Sequence, residues 1–367
     1  MNPSPRISKR LMKCGAISAN PVVEYLQSGG EKPPLFFAVH LQACPCGGNP
    51  WIFASQTKST EIKVKDARQA ARNGIRAAFA ADAMSLQAHW IYDVKEIKNR
   101  FGRVEGLADP PADSHHKGKK AGDFTHYGDQ MLALLESLSE SGGFDLQVFF
   151  RRWRLLFTDY GGYKDMATRS TLKSIENGAG PENSGSKSHD LAGASRLAPL
   201  LAFYADDLEG LVAAARKQAK MTHDYSTVID SAEFFARTAH GVIHGQTPEQ
   251  ALRGAADRSY MSLPARDWVE SGIKFAGSET VSATLNFGQS CHVEGAFRST
   301  VQAVARHSGE PANGIIETIM AGGDSAARSM LVGLVLGASA EANALPDEWF
   351  SGLSAAGRIE SLLSSVG

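Results

Sequence analysis

The sequence has few cysteines, few aromatic side chains and no excess of charge of one sign. Four of its 367 residues are cysteine, and 8% are aromatic. The motif Cys44-Pro45-Cys46 has no second cysteine pair, so the usual spacing of a structural zinc site is missing. We therefore expect reduced cysteines and a cytoplasmic protein rather than a secreted disulfide framework.

Charge and hydropathy argue against two further classes. Lysine and arginine number 38 against 39 acidic residues, so no overall field favours nucleic acid or an anionic membrane. The longest apolar run, MLVGLVLGASA, is shorter than the roughly 18 to 20 residues that span a bilayer. A soluble protein is expected. The early basic residues Arg6, Lys9, Arg10 and Lys13 leave organelle targeting as a weakly supported alternative.

The remaining composition points to helices. Residues 1–62 are rich in Pro, Gly, Cys and Ser, which predicts an irregular, poorly ordered extension. From residue 63 to 367, apolar residues recur at helical spacing in one segment after another, and no segment alternates with period two. The 36 glycines suit closely packed helices. We predict one all-α, compact multi-helix domain over 63–367.

Two aspartates stand at the starts of apolar segments. Asp324 precedes SAARSMLVGLVLGA, which is apolar on nearly every side and should lie centrally in the fold; Asp129 precedes QMLALLESL. An aspartate in this position can cap a helix by accepting its free backbone N–H groups. If the two helix starts converge, the same carboxylates supply oxygen ligands for Mg²⁺, and nearby N–H groups attract phosphate. Both interpretations remain open.

An ordered set of motifs resembles the ADP-ribosylglycohydrolase superfamily. GDQMLALLESL, GASRLAPLLAFY, MTHDYSTVIDSAEFFA, AGGDSAARSMLVGLVLGA and LPDEW occur in the family's order, and ADAMSLQAHWIYD is similar to its opening helix. HWIYD, YGDQ, GGYKDMATRSTL and GGDSAARSM look most like the branch that contains J1-crystallins and selenoprotein J. The resemblance covers about residues 66–350. It implies an orthogonal multi-helix fold with an ADP-ribose cleft, usually beside two Mg²⁺ ions, and hydrolysis at the ribose anomeric carbon.

The sequence departs from the family at the metal ligands. The first family motif is Thr-Asp-Asp, whereas Tyr127-Gly128-Asp129 stands here; in the second, Asp324 and Ser325 are followed by Ala326-Ala327 instead of a second acid and a hydroxyl. Two carboxylates cannot offset two divalent cations placed a few ångströms apart. We therefore expect at most one Mg²⁺, with Asp129, Asp324 and Ser325 as its ligands.

The resemblance also implies a substrate cleft lined by the polar loop at 176–190 and the segment after it. Arg196 has the forked donors that suit a pyrophosphate, although a surface arginine beside a capped helix is the alternative. Asp93 is either a contact at the cleft edge or a turn residue. His126 and Asp123 are candidates for a further ligand or a general base. The predicted substrate-binding residues are Asp93, Tyr127, Gly128, Ser188, Gly193, Ser195, Arg196 and Gly323.

These features lead to two main hypotheses. The first is a hydrolase of ADP-ribose derivatives, with Asp129 and Asp324 catalytic and an ADP-ribose-containing small molecule or ADP-ribosylated protein as partner, without nucleic acid or membrane. The second is a catalytically silent, J1-crystallin-like protein with a structural or ligand-binding role, because lost metal ligands are typical of a retired active site. A redox role for Cys44 and Cys46 is a third, weaker alternative.

Overall fold

The computed structural model describes residues 66–339 and 344–366, and within them the chain forms helices and two isolated β-bridges but no strand. This confirms the all-α prediction. The helices are, in chain order, α1 (Ala67–Ser85), α2 (Val94–Phe101), α3 (His126–Ser141), α4 (Leu146–Leu156), α5 (Met166–Glu176), α6 (Ala192–Ser195), α7 (Leu200–Phe203), α8 (Leu208–Lys220), α9 (Ser226–Ile243), α10 (Pro248–Ala256), α11 (Ala265–Lys274), α12 (Thr280–Phe287), α13 (Val293–Arg306), α14 (Pro311–Met320), α15 (Ser325–Ser339), α16 (Asp347–Ser351) and α17 (Ala356–Ser364).

Two predictions concern residues outside these ranges. The extension at 1–62 and the Cys44-Pro45-Cys46 motif are not among the described residues. Among the helices of the described ranges, none combines the length and apolarity that crossing a membrane requires.

Helices α1 and α15 form the centre of the fold. Every residue of α15 from Ser325 to Ala338 is buried, as its all-round apolar sequence predicted. The two helices run antiparallel, since Gly74 of α1 lies against Leu334 and Ala338 while Ser85 lies against Ser329. A Cβ atom on Gly74 would approach the Leu334 carbonyl oxygen to 2.7 Å, so small residues set the close contact.

The turn before α15 brings the end of α1 beside Asp324. Gly322 and Gly323 have φ angles of 69° and 61°, a region that glycine adopts readily. The Trp90 N–H donates to the Gly323 carbonyl and the Gly323 N–H to the Ile91 carbonyl, both at 2.8 Å. Trp90 itself has φ 66°, which is uncommon for a non-glycine residue. This paired backbone places the preceding residue, His89, next to Asp324.

The start of α3 is fastened to α1 by Asp82. The buried Asp82 carboxylate accepts the Thr125 backbone N–H at 2.8 Å and its hydroxyl at 2.6 Å, while the Thr125 hydroxyl caps α3 by accepting the Tyr127 N–H. A Cβ on Gly128 would lie 2.2 Å from Asp82 Oδ2, so only glycine permits this approach. The end of α1 and the starts of α3 and α15 therefore meet in one region.

Candidate functional site

A chain of buried polar side chains begins at Asp324. Its Oδ1 atom lies 2.8 Å from His89 Nε2, and His89 Nδ1 lies 3.0 Å from His116 Nε2. When His89 donates through Nε2 to the carboxylate, its Nδ1 atom is left to accept from His116. Asp324 Oδ2 has no hydrogen-bond partner among the described residues, so neither oxygen caps α15. The capping interpretation of Asp324 is therefore wrong, because the carboxylate turns toward α1 instead of toward its own helix.

Aromatic and imidazole rings pack around this chain. His89 lies between His116 and Tyr127, with ring centroids 5.1 and 5.6 Å away, and the His126 ring is 4.0 Å from that of Tyr127. Trp90 covers His89 at 4.2 Å. Burial, followed by the neighbouring histidines, lowers the pKa of His116 to about 2. Burial also lowers the pKa of His89, so His89 and His116 are expected to be neutral at physiological pH.

The region also contains buried polar atoms without a hydrogen-bond partner among the described residues. Buried polar groups nearly always have a hydrogen-bond partner, so a group of unpaired ones marks a place for water or for the polar atoms of a ligand. The rings of His126 and Tyr127 are in contact, and Asp324 is close enough for its charge to raise the pKa of Tyr127, so these groups share one region. Among the described residues, the atoms in this region without a hydrogen-bond partner include Asp324 Oδ2, the hydroxyls of Tyr127 and Ser325, Arg328 Nε and both ring nitrogens of His126.

Two further carboxyl groups, Asp190 and Asp165, differ sharply in acidity. Burial, then the charges of Asp324 and Asp165, raise the pKa of Asp190 well above its ordinary value. For Asp165 burial also raises the pKa, but contacts with His126 and Thr168 outweigh it and lower the value. The His126 Nε2 to Asp165 Oδ2 distance of 3.5 Å is an ion-pair contact too long for a well-formed hydrogen bond. Burial thus favours the protonated form of Asp190, whereas the contacts of Asp165 favour its carboxylate form.

Asp129 lies in a different environment from Asp324. Thr125 is the cap of α3, so Asp129 sits inside the first turn and is not the cap that the sequence predicted. Its Oδ2 atom accepts from Lys119 Nζ at 2.7 Å and from the Tyr160 hydroxyl. The two predicted catalytic aspartates have no common partner: one pairs with an ammonium group, the other with an imidazole.

This arrangement does not fit the expected magnesium site. The Lys119 ammonium already contacts the Asp129 oxygen that a cation would need. Asp324 and Ser325 bring no further carboxylate, and no cluster of three or more His, Cys, Asp or Glu in residues 66–339 and 344–366 is placed to hold a metal. We therefore assign no chemistry here to a bound Mg²⁺.

The predicted pyrophosphate ligand Arg196 lies in the interior. The residue is 1% exposed, and its guanidinium donates to Gln130, Gln218 and Thr222, which joins α3 to the end of α8. Burial lowers its pKa to about 10, so it stays charged at neutral pH. The predicted pyrophosphate contact is therefore wrong, because the guanidinium donors that would bind a ligand already donate to buried side chains.

Other predicted substrate contacts also have local roles. Asp93 is exposed and caps α2 by accepting the Lys95 N–H at 2.8 Å, in agreement with the turn alternative. Ser195 donates to the Ala192 carbonyl, and Gly193 packs against His223 and Val228. Ser188 accepts the Asp190 N–H. Of the predicted set, Tyr127, Gly128 and Gly323 lie in the region of Asp324, while Ser188 adjoins Asp190.

His126 and Asp123 separate in the structure. His126 is buried among the rings and does not face solvent. Asp123 instead accepts from the Ser354 hydroxyl at 2.6 Å and from the Lys120 N–H at 2.8 Å, in an exposed connection to the last helices. Only His126 remains a candidate for the site.

Sequence reasoning missed several residues of this region. An aspartate within the otherwise apolar stretch AFAADAM was a usable signal for Asp82, because a buried acid must have partners. His116 and Lys119 carry no such signal, because they lie in an aperiodic segment, and His89 falls in the motif HWIYD without being marked as a site residue. Asp190 stands at the end of the polar loop at 176–190, and the sequence alone does not distinguish it from the other polar residues there.

A cavity among the described residues lies elsewhere. It has a volume of about 560 Å³ and lies between the N-terminal half of α1 and the last helices, with Arg76, Trp349 and Phe350 in its wall. None of the carboxylates or histidines around Asp324 lines it. Chemistry, rather than cavity size, therefore identifies the Asp324 region as the candidate site.

Comparison with known proteins gives concordant results. The family model described as ADP-ribosylglycohydrolase matches residues 63–366. Crystallin J1A and Crystallin J1B of Tripedalia cystophora are each 24% identical, over 308 and 312 residues, covering 78% and 79% of this chain and 92% of each crystallin. A solved chain titled ADP-ribosylglycohydrolase-related protein complex has a TM-score of 0.61 at 22% identity, covering 82% of this chain and 98% of that chain. At this identity the structural likeness shows the fold.

Proposed function

Because the chain belongs to the ADP-ribosylglycohydrolase family, as its ordered motifs predicted, we propose that it hydrolyses a glycosidic bond at the ribose of an ADP-ribose derivative. The observation that carries the proposal is the unpaired Oδ2 atom of buried Asp324, together with a second buried carboxyl group, Asp190, whose pKa is raised by burial and by the charge of Asp324. Glycoside hydrolysis uses such a pair of carboxyl groups with different roles.

The proposed reaction uses two carboxyl groups of the chain. Asp190 donates its proton to the leaving group as the bond to the anomeric carbon breaks, and Asp324 faces the positive charge that develops on the ribose. Water adds to the anomeric carbon and gives its proton to Asp324, so that one water is split overall. Proton exchange with solvent then restores both groups.

Neighbouring groups would orient the substrate. The unpaired Tyr127 hydroxyl and the Ser325 hydroxyl supply hydrogen bonds to sugar oxygens. Burial, then the charges of Asp190 and Asp324, raise the pKa of Tyr127 well above its ordinary value, so its hydroxyl remains a donor. His89, itself held by His116, contacts Asp324 Oδ1 and so fixes the carboxylate while Oδ2 stays unpaired. Asp129 is proposed to support the start of α3 rather than to touch the reacting atoms.

Calorimetry and turnover assays test this proposal. We expect ADP-ribose to bind equally with and without Mg²⁺, and at least one of ADP-ribosyl-arginine, ADP-ribosyl-serine or O-acetyl-ADP-ribose to be hydrolysed. Asp190→Asn and Asp324→Asn should each lower kcat by roughly 10² or more while the fold is retained. The exposed Asp206→Asn is the matched control and should leave kcat unchanged. Full activity in both active-region variants would refute the assignment.

A catalytically silent, J1-crystallin-like protein is the second candidate. It is favoured by the Lys119–Asp129 ion pair, which replaces the open carboxylates of a metal-dependent enzyme, and by the likeness to the two crystallins. Binding of ADP-ribose without turnover of any of the three substrates would favour it. Absence of binding at millimolar ADP-ribose would leave only a structural role.

A further inference from the structure

Lys119 is placed at Asp129 by several contacts outside the ion pair. Its backbone N–H donates to the His116 carbonyl at 3.1 Å, and His116 is held by His89. Three residues later, Gly122 has φ 88° and its carbonyl accepts the Ser354 N–H at 2.9 Å; a Cβ there would lie 2.3 Å from the Gly352 oxygen. The segment is therefore fastened on both sides of Lys119.

The ammonium group is well enclosed at this position. The side chain of Lys119 is 20% exposed and that of Asp129 is 16% exposed, so the pair is only partly solvated. The Tyr160 ring lies 5.4 Å from Lys119 Nζ, within the range of a cation–π contact, and the Tyr160 hydroxyl donates to the same Asp129 oxygen. Asp129 thus accepts hydrogen bonds from one charged donor, the Lys119 ammonium, and one neutral donor, the Tyr160 hydroxyl.

A second carboxyl group completes the balance of charge. Burial raises the pKa of Asp82 to about 7, against the lowering effect of its bonds to Thr125, and the charge of Asp129 raises it further. Asp82 is therefore only partly ionised at neutral pH, and the positive charge that contacts Asp129 is the Lys119 ammonium. A divalent cation at this point would have to displace an ammonium and a proton, besides losing part of its own hydration shell.

We propose that Lys119 acts as a built-in cation at Asp129, so that the region between α1 and α3 needs no Mg²⁺ to fold or to hold its carboxylates. The inference does not depend on hydrolysis and applies to the protein without substrate. It also explains why Asp129 contacts an ammonium group at a position where the family usually binds Mg²⁺.

The test is thermal unfolding of the full chain with MgCl₂, compared with NaCl at equal ionic strength. For the wild type, Mg²⁺ should not change Tm, and calorimetry with MgCl₂ alone should show no stoichiometric binding. Lys119→Ala should unfold a few degrees lower, and millimolar Mg²⁺ should recover part of that loss, because Asp129 is then open to water-rich Mg²⁺ coordination. Lys119→Arg should behave as the wild type does.

Lys120→Ala is the matched control. Lys120 is the adjacent lysine, 75% exposed, and its only ion-pair contact among the described residues is a 3.6 Å approach to Asp109. It should show neither the lower Tm nor the response to Mg²⁺. Stoichiometric Mg²⁺ binding by the wild type, or a Lys119→Ala protein that Mg²⁺ does not stabilise, would overturn the inference. Because no ADP-ribose is present, these outcomes are separate from a failure of the proposed hydrolysis.

Discussion

Along much of their length the two central helices, α1 and α15, touch through glycine and alanine. Where the chain leaves α1 and enters α15, the contact is instead between a histidine, His89, and an aspartate, Asp324. In the first region the backbones approach so closely that a Cβ on Gly333 would lie 2.7 Å from the Ala77 oxygen. In the second, Asp324 Oδ2 is buried without a partner. One helix pair thus combines a tightly filled contact with a polar region that is incompletely satisfied.

The difference shows how a closely packed apolar contact can stabilise a neighbouring region that contains buried, unpaired polar groups. The close helix contact buries apolar surface and contains no unpaired polar atom among its described residues. The polar end carries unsatisfied groups, each of which costs free energy when buried. The stability of the apolar contact between α1 and α15 therefore holds the aspartates of the polar region in place.

The largest effect is expected at Asp82, on the polar side. Its pKa is raised from 3.8 to about 7, so the folded protein holds this proton more tightly than the unfolded chain does. Ionisation of Asp82 therefore does not reduce the unfolding free energy below about pH 4. The reduction grows as the pH rises to about 7 and is constant above that, on the order of 4 kcal/mol. Asp82→Asn should remove this dependence, because an amide can keep both contacts to Thr125.

Urea unfolding of the wild type and Asp82→Asn over this pH range measures the effect. The difference between their unfolding free energies should change in favour of Asp82→Asn as the pH rises. A difference that is independent of pH would mean that Asp82 titrates normally in the folded protein.

The next effect is expected in the close helix contact. Gly333→Val should reduce the unfolding free energy by about 3 kcal/mol, because the new side chain meets the backbone of Ala77. Gly254→Ala is the control: Gly254 lies in α10 with open space around it, and alanine should stabilise the helix by about 0.5 to 1 kcal/mol. If Gly333→Val were as stable as the wild type, the two helices could separate without loss.

A smaller effect should mark the boundary between the two regions. The Ser329 hydroxyl lies 2.9 Å from that of Ser85, which also donates to the Ala81 carbonyl. Ser329→Ala should cost about 1 kcal/mol, because Ser85 keeps its second partner. A double-mutant cycle with Ser85→Ala, measured by urea unfolding, should give a coupling that is clearly above zero. Strict additivity would show that the two hydroxyls do not interact.

The smallest effect is expected at Asp93, outside both regions. Asp93→Ala should cost about 0.5 to 1 kcal/mol through loss of the α2 cap, while Asp93→Ser should retain most of it. Neither change should alter ADP-ribose affinity in calorimetry. A tenfold weaker affinity for Asp93→Ala alone would instead support the substrate contact that the sequence suggested.

The sequence predicted helix content and the central helix well for a physical reason. In α15 apolar side chains on all faces can be satisfied only by burial on all faces, and all-round burial is what the structure shows. The position of Asp324 at the start of that helix was also correct. These properties depend on local pattern, and local pattern can be read directly from the chain.

The partners of the acids could not be predicted in the same way. Asp129 and Asp324 look equivalent in sequence, yet one contacts Lys119 and the other His89. Lys119 comes from a segment without periodicity, and the path of such a segment depends on contacts far along the chain, as the bond between Gly122 and Ser354 illustrates. The left-handed backbone at Trp90, which directs His89 to Asp324, likewise has no signal in residue type.

The burial of Asp324 has a kinetic consequence. Its side chain is fully shielded from solvent, so any molecule that reaches Oδ2 must wait for the protein to open. The observed affinity of such a molecule equals its affinity for the open form multiplied by the fraction of time that the protein is open. A substitution that loosens the rings over His89 would therefore strengthen binding and speed association, although it removes no contact from the bound molecule and adds none.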